Sequence, residues 1–127
     1  MRQNSMPGMR RVIIESPYAG DREKNLRYLQ ACIADCLKRG DAPFASHGLY
    51  PGALDDNIPE ERQLGIEAGF TWRDAAHATI VYKDLGVTRG MLLGIEHAEK
   101  LKHVIEYRTL GGEWSRSETS SSSAEST

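Results

Sequence analysis

The stretch Asp84-Leu85-Gly86-Val87-Thr88-Arg89-Gly90 packs a carboxylate, two glycines, a hydroxyl and a forked cation into one short segment. An apolar run of β type, Ala78-Thr79-Ile80-Val81-Tyr82, feeds into it, and a helical pattern, Met91-Leu92-Leu93-Gly94-Ile95-Glu96-His97-Ala98, leaves it. A helix that begins here offers unpaired backbone N–H groups and partial positive charge, which suit an anion such as phosphate. Arg89 adds a bidentate cation at the same place. Asp84 can accept hydrogen bonds from ribose hydroxyls. Gly86 and Gly90 let a ligand approach the backbone, and Thr88 is a natural N-cap.

A second segment carries related chemistry. Ser16-Pro17-Tyr18-Ala19-Gly20-Asp21-Arg22 follows another apolar run, Val12-Ile13-Ile14. Tyr18 can stack on a base or pack on a sugar. Ser16 and the backbone amides around Pro17 and Gly20 can bond hydroxyls or phosphate. Arg22, in the first turn of the following helix, would face an anion. His47 stands after a weaker strand and is a third candidate contact. The candidate ligand-binding set is therefore Ser16, Pro17, Tyr18, Gly20, Arg22, His47, Asp84, Gly86, Thr88, Arg89 and Gly90.

These segments need a frame. Asp21 can cap a helix reaching about Lys38, with Leu26, Leu29, Ile33 and Leu37 at helical spacing and Gly40 closing it. Ala42 to Ser46 reads as a second strand. Turn formers follow, His47 to Gly52 and then Asp55-Asp56-Asn57. Asn57 can cap a second helix with Pro59 in its first turn. Leu64, Ala68, Trp72 and Ala75 would be its inner face, and Arg73 with Asp74 a surface ion pair. Thr88 opens a third helix to about Lys100, and His103 to Tyr107 is a fourth strand.

The β-α-β-α-β-α-β alternation implies a three-layer α/β fold, Rossmann-like and flavodoxin-like, with a parallel sheet of about four strands in the order 2-1-3-4. That order sets the switch point between strands 1 and 3, where ligands of open α/β sheets bind. Both candidate loops end there. Gly86, Gly90, Gly94 and Ala98 lie four apart, a small-residue stripe that suits close packing.

Composition narrows the function. With 127 residues the chain fits one domain, and a formal net charge of −2 gives no basic field for long nucleic acid. No apolar stretch suits a membrane span and no secretory signal core opens the chain, so a cytoplasmic location is the expectation. Cys32 and Cys36, one helical turn apart, read as buried thiols. No Ser-His-Asp order, phosphate-binding P-loop or metal-ligand cluster is present, so no metal or cofactor is expected. Of the carboxylates, Glu15 and Asp84 alone fall in the loops Glu15-Ser16-Pro17-Tyr18-Ala19-Gly20 and Asp84 to Gly90. They could act as an acid/base or nucleophile pair, or Glu15 as a structural acceptor. Residues 1–9 read as a flexible lead, 10–112 as the domain, and 113–127 as a disordered tail rich in Ser, Thr and Glu.

The folded part, about Arg11 to Tyr107, resembles the nucleoside 2-deoxyribosyltransferase-like superfamily, in particular its small phage and prophage branch. The resemblance rests on Ile14-Glu15-Ser16-Pro17-Tyr18-Ala19-Gly20, on Ala76 to Tyr82 with Asp84 to Met91, and on Lys102 to Tyr107. It implies a nucleoside or nucleotide ligand and a homo-oligomer with pockets near subunit interfaces. In the transferases an Asp-x-Gly-Thr-like loop precedes a nucleophilic Glu; here Gly90 and Met91 occupy that place. The resemblance therefore points to a non-enzymatic nucleotide-binding protein that sequesters a host-defence signal, such as a cyclic nucleotide or an ADP-ribose derivative. The alternative is an N-glycosidase or deoxyribosyltransferase. Deleting Ser115 to Thr127 should leave the melting temperature and ligand binding unchanged, as read by thermal shift on the full and shortened chains.

Overall fold

A computed structural model describes residues 8–111. The lead up to residue 7 and the tail from residue 112 lie outside the described residues. The elements run β1 (Arg10–Glu15), α1 (Arg22–Lys38), β2 (Asp41–Phe44), two short 3-10 turns (Ser46–Gly48 and Tyr50–Gly52), α2 (Pro59–Arg73), β3 (Ala78–Tyr82), α3 (Arg89–Lys100) and β4 (Val104–Arg108). The four strands form one parallel sheet in the order β2-β1-β3-β4. This is the expected three-layer, Rossmann-like α/β arrangement.

Strand alternation sorts the core into two layers. Val12, Ile14, Ala78, Ile80 and Tyr82 face α1 and pack with Tyr28, Leu29, Cys32 and Cys36. Val81 faces the other way and packs with Met91, Ile95 and Ile105. Both cysteines are buried and free, as their spacing implies. Arg10 joins Asp41 at 3.2 Å and Glu106 at 2.7 Å, and Arg108 joins the same two carboxylates, so ion pairs tie β2 and β4 together across β1 and β3.

Two helix faces differ from the sequence reading. In α1 the buried positions are Asn25, Tyr28, Leu29, Cys32 and Cys36, while Leu26 and Leu37 are half exposed. Tyr28 bonds Asp84, and Asn25 bonds the carbonyls of Tyr18 and Ala19, so a polar-handled face goes inward. In α2 the buried residues are Gly69 and Arg73, and Leu64 and Trp72 face out. Gly69 lies against Ser46, where a side chain would collide. The expected Asn57 cap is replaced by Ile58, one residue later, with Pro59 opening the helix. β2 also starts and ends earlier than expected.

Arg73 is not a surface residue. It is 1% exposed, and all three of its donor nitrogens are used. Nε donates to Thr79 Oγ1 at 3.1 Å, one terminal nitrogen to His97 Nδ1 at 3.0 Å, and the other to Glu15 Oε2 at 2.5 Å. The Glu15 carboxylate lies directly over Gly94 of α3, and a Cβ at position 94 would overlap it. The small-residue stripe thus serves packing at Gly94. Gly94→Ala should cost about 2–4 kcal/mol in chemical denaturation despite the better helix propensity of Ala, because it dislodges one partner of a buried ion pair.

Candidate functional site

The parallel register carries Ser16 and His47 to the same level at the carboxyl edge. Ile13 pairs with Phe44 at the end of the β1–β2 ladder, and three residues further on each chain come Ser16 and His47. Ser16 Oγ and His47 Nε2 are 2.7 Å apart. The loop between β1 and α1 is held from inside the helix: Asn25 Nδ2 donates to the carbonyls of Tyr18 and Ala19, each at 3.0 Å. Gly20 turns the chain with φ +100°, and Asp21 caps α1 by accepting from the Lys24 amide.

Two adjoining cavities open beside this loop, on its β2 side. The larger, about 410 Å³, runs between Tyr18 and Arg22 and the segment from Pro51 to Asn57, with Glu61 at its edge. The smaller, about 180 Å³, lies between Pro17, Tyr18, Leu26, Leu29, Pro51 and His47. Tyr18, Arg22, Pro51 and Gly52 line both. The exposed Leu26, which sequence periodicity assigns to the core, is thus a cavity wall.

The walls differ in character. The larger cavity is lined by Asp55, Asp56 and Glu61 against the single cation Arg22. Arg22 lies 4.9 Å above the Tyr18 ring centroid and 3.7 Å from Asp56. Burial, and then a hydrogen bond to Asp56, raise the Tyr18 hydroxyl above its ordinary range. Asp56 therefore bridges the β1 loop to the segment before α2. Asp55 accepts from the Asn57 amide at 2.9 Å, and Glu61 accepts from the Asp55 amide at 2.8 Å, which fixes this wall internally. The smaller cavity is more apolar, with Pro17, Leu26, Leu29 and Pro51 in its walls and His47, Asn25 and Arg22 as its polar side chains beside Tyr18.

The other predicted residues do not join this group. Neither cavity is lined by a residue of the loop after β3. Asp84 accepts from the Tyr28 hydroxyl at 2.6 Å and from the Leu110 amide at 3.0 Å, so it holds the chain leaving β4. Gly86 takes φ +88° in the turn closed by its amide on the Lys83 carbonyl. Thr88 caps α3 by accepting from the Met91 amide at 3.2 Å. Arg89 and Gly90 stand exposed in the first turn of α3. Sequence reasoning thus brings together Ser16, Pro17, Tyr18, Arg22 and His47. It passes over Asp56, Glu61, Asn25 and Pro51, read there as turn, cap or helix residues. The signal for Asp55 and Asp56 was their position in the loop after β2, at the same edge of the sheet. No group of His, Cys, Asp and Glu among the described residues could hold a metal ion.

Fold and cavity define a Rossmann-like α/β domain with two adjoining cavities at the carboxyl edge of its parallel sheet. Residues 10–108 match DUF7768, a domain of unknown function, and the chain belongs to that family. No curated protein matches the chain, and no solved structure does. No helix among the described residues is long and apolar enough to cross a membrane.

Burial pushes the His47 imidazole down from its ordinary value near 6.5 to about 4. Between these pH values the unfolded chain binds a proton that the folded chain does not, so stability rises with pH through this window. Acidification from pH 7 to 4.5 should therefore remove about 2 kcal/mol more from the native protein than from His47→Gln, measured by urea denaturation at each pH. Equal losses in the two proteins would show that His47 titrates normally.

Proposed function

We propose that this chain binds a nucleoside-type ligand, a flat heterocycle joined to a hydroxylated sugar, without turning it over. The carrying observation is the pair of adjoining cavities that share Tyr18, Arg22, Pro51 and Gly52. The smaller suits a flat apolar ring, with Pro17, Leu29 and Pro51 around it and Tyr18 as a stacking face. The larger suits a sugar, whose hydroxyls would donate to Asp55, Asp56 and Glu61. Together they have the size of small-molecule sites.

The balance of charge bears on phosphate. Three carboxylates face one arginine, and that arginine is already beside Asp56. A phosphate directed into the larger cavity would meet net negative charge, so the reading favours an unphosphorylated nucleoside or one whose phosphate points to solvent. Capture of a host-defence nucleotide signal, implied by the family resemblance, belongs to this proposal in the second form. Binding without turnover is supported by the roles of the two loop carboxylates. Glu15 is paired with buried Arg73, and Asp84 is held by Tyr28 and Leu110. The competing reading, an N-glycosidase, draws on the carboxylates of the larger cavity.

Purified protein incubated with a panel of nucleosides, nucleotides, cyclic nucleotides and ADP-ribose derivatives separates the two. A thermal shift with the ligand recovered intact by chromatography supports binding, and release of free base supports the glycosidase. Tyr18→Ala should weaken the best binder by about 1–3 kcal/mol, the range for loss of base stacking on an aromatic side chain, read by calorimetry. Unchanged affinity would move the ligand away from this pocket.

A further inference from the structure

The Ser16–His47 pair has a direction that can be worked out from its donors. Ser16 is 4% exposed. Its hydroxyl carries one proton, and among the described residues His47 Nε2, at 2.7 Å, is the one group placed to receive it. A buried donor left without an acceptor costs more than an acceptor left with a spare lone pair. The hydroxyl proton therefore belongs in the hydrogen bond to Nε2, and Nε2 is the acceptor. Burial keeps the imidazole neutral at neutral pH, so its single proton must then sit on Nδ1. Among the described residues Nδ1 has no hydrogen-bond partner, and His47 lines the smaller cavity, where the other lining side chains are chiefly apolar.

We infer that Ser16 is a positioning residue that fixes His47 as a neutral Nδ1–H donor, and that His47 reads a ring nitrogen of the heterocycle seated in the smaller cavity. This rests on the nucleoside reading above and adds to it a specific edge chemistry. A site built around one donor in an apolar recess rejects a ring that offers C–H at that point, because the donor is then buried without a partner. Asn25 is also at this cavity, but both of its described bonds go to the carbonyls of Tyr18 and Ala19. Arg22 faces Asp56 at the rim. His47 Nδ1 is thus a donor at this cavity that no described protein group takes up.

The test has two independent arms. In the first, long-range ¹H–¹⁵N correlation of the full-length protein without ligand, with His47 assigned by loss of its signals in His47→Gln, should show the Nδ1–H form. Ser16→Ala should shift the ring toward the Nε2–H form. An Nε2–H ring in the native protein overturns the inference whatever binds. In the second, adenosine is compared with its 1-deaza, 3-deaza and 7-deaza analogues by calorimetry. One analogue should lose about tenfold in affinity with the native protein, the worth of one hydrogen bond. The same analogue should lose less than about twofold with His47→Phe or Ser16→Ala. Equal affinities for all four with the native protein, or a preference that survives both substitutions, overturns the inference while leaving nucleoside binding standing. Failure of every nucleoside to bind overturns the functional reading and with it the ligand-reading half of the inference, whereas the positioning half is decided by the first arm.

Discussion

A fully buried guanidinium sets the terms for one whole layer of this protein. Arg73 reaches from the end of α2 along the sheet face and meets a partner on each element around it: Thr79 on β3, His97 on α3 and Glu15 on β1. A guanidinium can only donate, so His97 must present an unprotonated Nδ1, and its ring lies stacked on Phe70 with centroids 4.0 Å apart. Burial and the nearby Arg73 charge both lower the His97 pKa, in keeping with a neutral ring. The polar chain continues. Thr79 accepts from Arg73 and so directs its own proton to His103 Nδ1 at 2.9 Å, and His103 Nε2 donates to the Ala76 carbonyl at 2.8 Å. Each of the three guanidinium nitrogens has an acceptor here, and a well-satisfied buried polar cluster favours a single arrangement. Burial raises the Glu15 carboxyl while Arg73 pulls it down, so its charge depends on the guanidinium beside it.

That network decides which acidic side chains remain at the carboxyl edge of the sheet. It draws Glu15 away from the carboxyl edge and under α3, leaving Ser16 as the residue that turns toward β2. Asp84, the other candidate acid, is taken by Tyr28 and Leu110 on the α1 side. The crevice between strands 1 and 3, where strand order alone places a binding site, is thus occupied by the protein's own hydrogen bonds at its two acidic positions. The two cavities lie one strand over, between the loops that follow β1 and β2.

The sequence pattern was legible where one periodicity or one loop length controlled the outcome. Strand and helix order, the strand order 2-1-3-4, the Asp21 and Thr88 caps and the burial of both cysteines follow from local residue chemistry and the handedness of crossovers. Helix faces were misread where polar residues point inward. Leu64 and Trp72 sit at helical spacing yet face outward, because α2 turns Gly69 and Arg73 to the core; periodicity of apolar residues has no means of registering a buried arginine whose partners lie 6, 24 and 58 residues away in the chain. The site was half legible for the same reason. Tyr18, Arg22 and His47 declare themselves by type and by position after strands. Asp56 reads as a turn residue until the fold brings it against Arg22 and Tyr18.

The acidic wall is the feature that most constrains ligand chemistry. A pocket built to hold phosphate collects backbone amides and arginines with their donors free. Here the amides of Asp55 and Asn57 are already bonded to Glu61 and Asp55, and the Arg22 guanidinium lies against an aromatic ring and a carboxylate. The groups left facing the larger cavity are mainly acceptors, and acceptors recognise hydroxyl and amine hydrogens. The smaller cavity offers a complementary kind of contact, an imidazole beside walls that are chiefly apolar. On the proposed reading, a ligand that meets both carries donors at one end and a flat ring with an acceptor at the other, the polarity of a nucleoside entering base first.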